Sequence, residues 1–108
     1  MTVQELSEAL HCQVVCMPDP DRQVTGGYAG DLLSWVMGRA KEGDVWVTIM
    51  SNVNIVAVST LADPSCVILA ESVEPDEQTV QRSEQQGINL LRTDLDTFDA
   101  CARIASLI

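Results

Sequence analysis

Histidine, lysine and aromatic residues are scarce in this chain of 108 residues, which carries one histidine (His11), one lysine (Lys41) and four aromatics. A single histidine cannot build a cysteine–histidine zinc set, and no serine or cysteine is identifiable as its nucleophilic partner. No catalytic residue is assigned. The lone lysine lies outside any G-x-x-x-x-G-K-[ST] loop, which excludes a P-loop. No apolar run reaches the ~18 residues of a membrane helix. Met1-Thr2-Val3-Gln4-Glu5-Leu6 has neither a basic n-region nor an apolar h-region, so a cytoplasmic location is expected. Six basic residues against 16 acidic ones give a net charge of −10. That is the wrong sign for nucleic acid or anionic membranes, whose phosphates are bound by lysine and arginine. It favours solubility and admits a basic protein partner.

The four cysteines, Cys12, Cys16, Cys66 and Cys101, stand singly. Cys12 and Cys16 would share a face of a strand but lie too far apart along it to be bridged easily. The expectation is four small buried hydrophobes in a reducing compartment, with no metal and no cofactor.

What is present is a regular succession of short apolar runs. Val3, Leu6 and Leu10 predict a first helix, and Cys12–Met17 a strand. Pro18-Asp19-Pro20-Asp21 is a loop. Val24 to Gly27 reads as a short extended piece entering a Gly-Gly turn. A helix over about 29–41 follows, with Leu32, Leu33, Val36, Met37 and Ala40 inward, Asp31 in its first turn and Gly43 closing it. Val45–Met50 is a strand and Ser51–Asn54 a loop. Ile55–Ala62 is read as a short crossover helix, although periodicity alone would admit a strand. Cys66–Ala70 is apolar on both faces, as in a covered central strand. A polar surface helix starts around Glu74-Pro75-Asp76-Glu77 and ends at Gly87. Ile88–Arg92 is the last strand. A final helix, capped by Thr93 or Asp94, turns Phe98, Cys101, Ala102, Ala105 and Leu107 or Ile108 inward. Strands alternating with helices predict one compact α/β domain over residues 1–108: a largely parallel sheet of four to five strands, covered by helices.

Few residues point to chemistry. Gly26 and Gly27 ahead of a helix could offer backbone N–H groups to a phosphate, although Asp31 opposes an anion there. Tyr28, Asp31 and Ser34 could together hydrogen-bond a ribose, but helix capping is the preferred use of Asp31. Glu71, Glu74, Asp76 and Glu77 lack the alternation of a calcium loop and are read as a solvated helix start. Trp35 falls off the apolar stripe of its helix, and Trp46 faces opposite to Val45 and Val47. Core packing is the plainer role for each. If both share an exposed patch, a homodimer follows.

From Thr25 to Ile108 the chain resembles the DRTGG-domain family, similar to the N-terminal domain of HPr kinase/phosphorylase. The resemblance rests on Gly26-Gly27-Tyr28-Ala29-Gly30-Asp31-Leu32-Leu33-Ser34 and Gly43-Asp44-Val45-Trp46-Val47-Thr48. It continues through Ile55–Val58, Val67–Ala70, Gly87–Thr93 and Asp96-Thr97-Phe98. The naming motif departs from the family: Ser51-Asn52-Val53-Asn54 has neither its acid nor its arginine, and Asp21-Arg22 is parted from Thr25-Gly26-Gly27 by Gln23-Val24. The resemblance implies a regulatory or assembly part, as in phosphotransacetylases and CBS-domain pyrophosphatases, where adenine nucleotides are sensed nearby. The expected role is a non-catalytic, homodimeric regulatory or protein-interaction module with Trp35 and Trp46 as interface candidates. The alternative is a sensor of an adenine nucleotide or related metabolite, held by Gly26, Gly27, Tyr28, Asp31, Ser34, Asn52 and Asn54. A pocket joining the Gly26-Gly27 turn to the Ser51–Asn54 loop would favour the sensor.

Overall fold

A computed structural model describes residues Met1–Ile108. Five helices and five strands follow one another in the order α1 (Val3–Leu10), β1 (Gln13–Cys16), β2 (Gly26–Ala29), α2 (Leu33–Arg39), β3 (Asp44–Thr48), α3 (Asn54–Ala62), β4 (Cys66–Leu69), α4 (Glu77–Gln85), β5 (Leu90–Arg92) and α5 (Thr97–Leu107). The strands form one sheet in the order β1-β5-β4-β3-β2. Strands β2 to β5 are parallel, and β1 closes the far edge antiparallel to β5. The α/β class and mostly parallel sheet are as expected, and the 55–62 run is helical.

The topology explains the layers. From β2 to β5 each strand is laid beside the last in one direction, so right-handed crossovers place α2, α3 and α4 on the same face. That face is built from Val36, Ile55, Val56 and Val58 against Trp46, Val67, Leu69 and Leu90. The other face carries α1 and α5, with Val3, Leu6, Leu10, Ala100 and Ile104 against Val45, Val47, Cys66, Ile68 and Leu91. Central strands apolar on both sides are what a sheet covered twice requires. Burying each such Val, Leu or Ile contributes about 1.5–3 kcal/mol.

Capping residues set the helix starts. Thr2 and Glu5 form a reciprocal capping box on α1. Asp76 caps α4 by accepting from the Thr79 amide at 2.8 Å and the Thr79 hydroxyl at 2.7 Å, which holds its carboxyl below the usual range. Asp96 caps α5, in place of the expected Thr93 or Asp94.

Five local expectations are corrected. Gly26 and Gly27 are not a turn but the first half of β2, in register with Asp44 and Val45. Because the strand continues through Ala29, α2 has only seven residues. Only Val36 of its expected stripe is fully buried, while Leu32 and Met37 are exposed. Gly43 lies beyond α2 at φ +85, where any side chain would strike Thr25. That close approach, rather than helix termination, is what requires glycine. In α5 the inward pair is Ala100 and Ile104, and Phe98 is 81% exposed. Ala100 and Ile104 pack into the core that α1 and the sheet build on that face. Finally, a bulge between Val14 and Cys16 in β1 sends Cys12 and Cys16 to opposite cores, because one extra residue reverses the facing of everything after it.

Candidate functional site

Asp31 is not in a helix. It lies in the link between β2 and α2, where its Oδ1 accepts from the Thr48 hydroxyl at 2.8 Å and the Ile49 amide at 2.9 Å. The carboxylate thus ties the end of β2 to the end of β3. Next to it the indole N–H of Trp46 donates to the Gly30 carbonyl at 2.9 Å. Trp46 is 0% exposed. It faces away from Val45 and Val47 as expected, but into the α2–α3 layer, so it is not a surface interface residue. Trp35 is half-exposed, with the Arg39 guanidinium stacked 3.7 Å from its ring centroid. The two tryptophans share no patch.

The proposed ligand residues are not brought to one cavity. Gly27 and Tyr28 line an apolar groove of about 270 Å³ between the edge strand and α5, together with Ala29, Cys101, Ala105 and Ile108. Ser34 is exposed on α2. Asn52 turns its carboxamide oxygen onto the Asn54 amide at 3.0 Å as α3 begins, and Asn54 borders a separate cleft between α3 and α4. Gly26 meets Asp44, whose other oxygen accepts from the Lys41 amide at 2.8 Å. No cavity joins the Gly26-Gly27 segment to the Ser51–Asn54 loop.

The acids of the 71–77 stretch serve as local anchors. Glu71 accepts from the Thr97 amide at 3.1 Å, and Glu74 pairs with Arg92 at 3.6 Å. His11 is the left-handed C-cap of α1, at φ 54. Burial pushes the Cys66 thiol up to about 12 and Cys12 to about 11, which disfavours the thiolate needed for nucleophilic chemistry.

One feature has no sequence counterpart. At the opposite end of the sheet, where the parallel strands begin, lies a polar cavity of about 290 Å³. Arg22 crosses it to Asp63, donating to the carboxylate and to the backbone carbonyl, both at 3.0 Å. Asn89 borders it too, and its amide holds the Asp19 and Ser65 carbonyls at 2.7 and 3.0 Å. Arg22 and Asp63 are separated by 41 residues, so no local pattern joins them.

A doubly covered, mostly parallel five-stranded sheet with an apolar groove beside its β2 edge defines a small α/β module. The DRTGG domain model matches residues 5–107: the chain belongs to the DRTGG domain family. The match takes in α1 and β1, ahead of the Thr25 start read from sequence. Among solved structures the chain is similar to the CBS and DRTGG domains of the regulatory region of Clostridium perfringens pyrophosphatase, complexed with its activator diadenosine tetraphosphate. The TM-score is 0.72 at 15% identity, over 95% of this chain and 45% of that one. The chain therefore spans less than half of that structure, and the likeness is one of fold. No curated protein matches the chain. No helix is long and apolar enough to cross a membrane.

Proposed function

We propose that this DRTGG domain is a non-catalytic, cytoplasmic regulatory module that acts by protein–protein association, as a homodimer. The observation that carries this reading is the open edge of the sheet at β2. Strand β2 pairs on one side only and carries neither proline nor charge to blunt its outer edge. Beside it runs the groove lined by Tyr28, Ala29, Ala105 and Ile108. Trp35 on α2 and Leu32 at its N-cap, 51% and 58% exposed, add apolar surface. Exposed apolar surface next to unpaired strand backbone suits a second copy adding its own edge.

Sedimentation equilibrium tests it. The wild-type chain should behave as a dimer, and Ala105→Glu, which places a charge in the groove at an exposed position, should shift it to monomer. Trp35→Ser tests whether the α2 surface takes part. A wild-type chain that is monomeric at all concentrations would sink the reading.

A second reading keeps the domain as an adenine-nucleotide sensor, supported by the activator bound in the regulatory region of the pyrophosphatase neighbour. A thermal-shift titration with diadenosine tetraphosphate and with adenine mono- and dinucleotides checks it. A ligand at 100 times its Kd would add about 2.7 kcal/mol, several degrees for a domain this size. The absence of any shift removes the sensor and leaves the association module.

A further inference from the structure

The polar cavity between Arg22 and Asn89 has a surplus of acceptors. Helices α3 and α4 both end on it, through Asp63 and Gln86, so the partially negative ends of two helix dipoles face the same space. Two carboxylates border it, Asp19 and Asp63. Arg22 engages only Oδ1 of Asp63, so Oδ2 is spare. The Asp19 carboxylate accepts no hydrogen bond, since that residue is held through its backbone N–H and carbonyl alone.

Ser59 supplies the independent sign of a ligand. It lines the cavity, is 3% exposed, and its hydroxyl has no hydrogen-bond partner. Buried polar atoms are normally paired, and leaving one unpaired is costly. Two other hydroxyls at the cavity are already engaged: that of Thr60 donates to the Ala57 carbonyl at 2.7 Å and that of Ser65 to the Asp44 carbonyl at 3.1 Å.

We propose that this cavity is a binding site for an alkylguanidinium or alkylammonium group, of the kind carried by an arginine or lysine side chain or by a free polyamine. Such a cation brings several N–H donors and one positive charge to the Ser59 hydroxyl, Oδ2 of Asp63 and the Asp19 carboxylate. Two carboxylates are too few for a metal cage, and no cluster of three ligating side chains forms anywhere in the chain. An anion would meet Arg22 only after it left Asp63, and would face two acids and two helix C-termini. The site lies at the start of the parallel strands, away from the β2 groove, and its occupancy is independent of self-association.

The test is a titration of the 15N-labelled full chain, followed by amide chemical shifts at about 0.15 M salt. The probes are N-acetylargininamide and putrescine, with inorganic phosphate as the opposite charge. Saturable shifts centred on Thr60, Asp63 and Gly87 with either cation are expected. Tighter binding of N-acetylargininamide assigns the source to a polypeptide side chain, and tighter binding of putrescine to a free polyamine. Asp63→Asn keeps the left-handed cap, which asparagine tolerates, and should weaken binding by about tenfold or more. Ser59→Ala should weaken binding while leaving the melting temperature unchanged or higher, because it removes an unpaired buried hydroxyl. No saturable shift with either cation overturns the proposal. So do shifts indifferent to both variants, and so does saturable phosphate binding at the same amides.

Discussion

The Thr48 hydroxyl donates to Oδ1 of Asp31 at 2.8 Å, joining the last residue of β3 to the link that leaves β2. Thr48 is 1% exposed, so this bond satisfies a polar group that water cannot reach. The same carboxylate oxygen holds the Ile49 amide. A residue that resembles a ligand contact in the sequence is a clamp between two strands in the fold.

Asp31→Ala should therefore act on stability. Leaving the Thr48 hydroxyl without its acceptor costs about 1–3 kcal/mol, or several degrees of melting temperature. Asp31→Asn, which keeps a carboxamide oxygen as acceptor, should cost less. Urea unfolding of the three proteins measures this. An unchanged midpoint in the alanine variant would refute the clamp.

Adjacent glycines in β2 should respond with opposite signs. A Cβ on Gly26 would lie 2.7 Å from Oδ1 of Asp44, a buried carboxylate already held by the Lys41 amide. Gly26→Ala should destabilise by about 1–3 kcal/mol, the usual cost of overpacking. A Cβ on Gly27 would meet nothing nearer than the Val45 carbonyl oxygen at 3.7 Å. Gly27→Ala should be neutral or stabilise by up to about 1 kcal/mol through lost chain entropy in the unfolded state. Equal thermal shifts for both variants would contradict this account.

The cysteines predict an alkaline limb. Burial raises the thiol of Cys66 from 9.0 to about 12 and that of Cys12 from 9.0 to about 11. An acid whose folded pKa lies above its unfolded one keeps its proton longer in the native state. The unfolded chain then binds fewer protons above pH 9, and stability falls with pH. Unfolding free energy should hold steady up to about pH 9 with respect to these groups and decline towards pH 11–12. Cys66→Ala, although it costs core packing at all pH values, should flatten that decline. A slope identical to wild type would show that other groups carry it.

The residues themselves determined the class of fold. Val3, Leu6 and Leu10 carry one side of a helix, and Cys66–Ala70 is apolar throughout, so local periodicity sufficed to place a first helix and a covered central strand. The opposite facing of Trp46 relative to Val45 and Val47 was equally legible, since side chains alternate along any strand. What periodicity lacks is knowledge of neighbours. Whether Gly26 and Gly27 turn or extend depends on Asp44 and Val45 lying alongside to accept them as a parallel strand. The facing of α5 depends on what it packs against, and α1 and the sheet take in Ala100 and Ile104. Trp46 goes inside because α2 and α3 cover its face, a fact about crossovers rather than about tryptophan. The cavity of Arg22, Ser59 and Asp63 is the extreme case. Its parts come from a loop and the end of a helix 41 residues further on, and only the closing of the sheet brings their charges together.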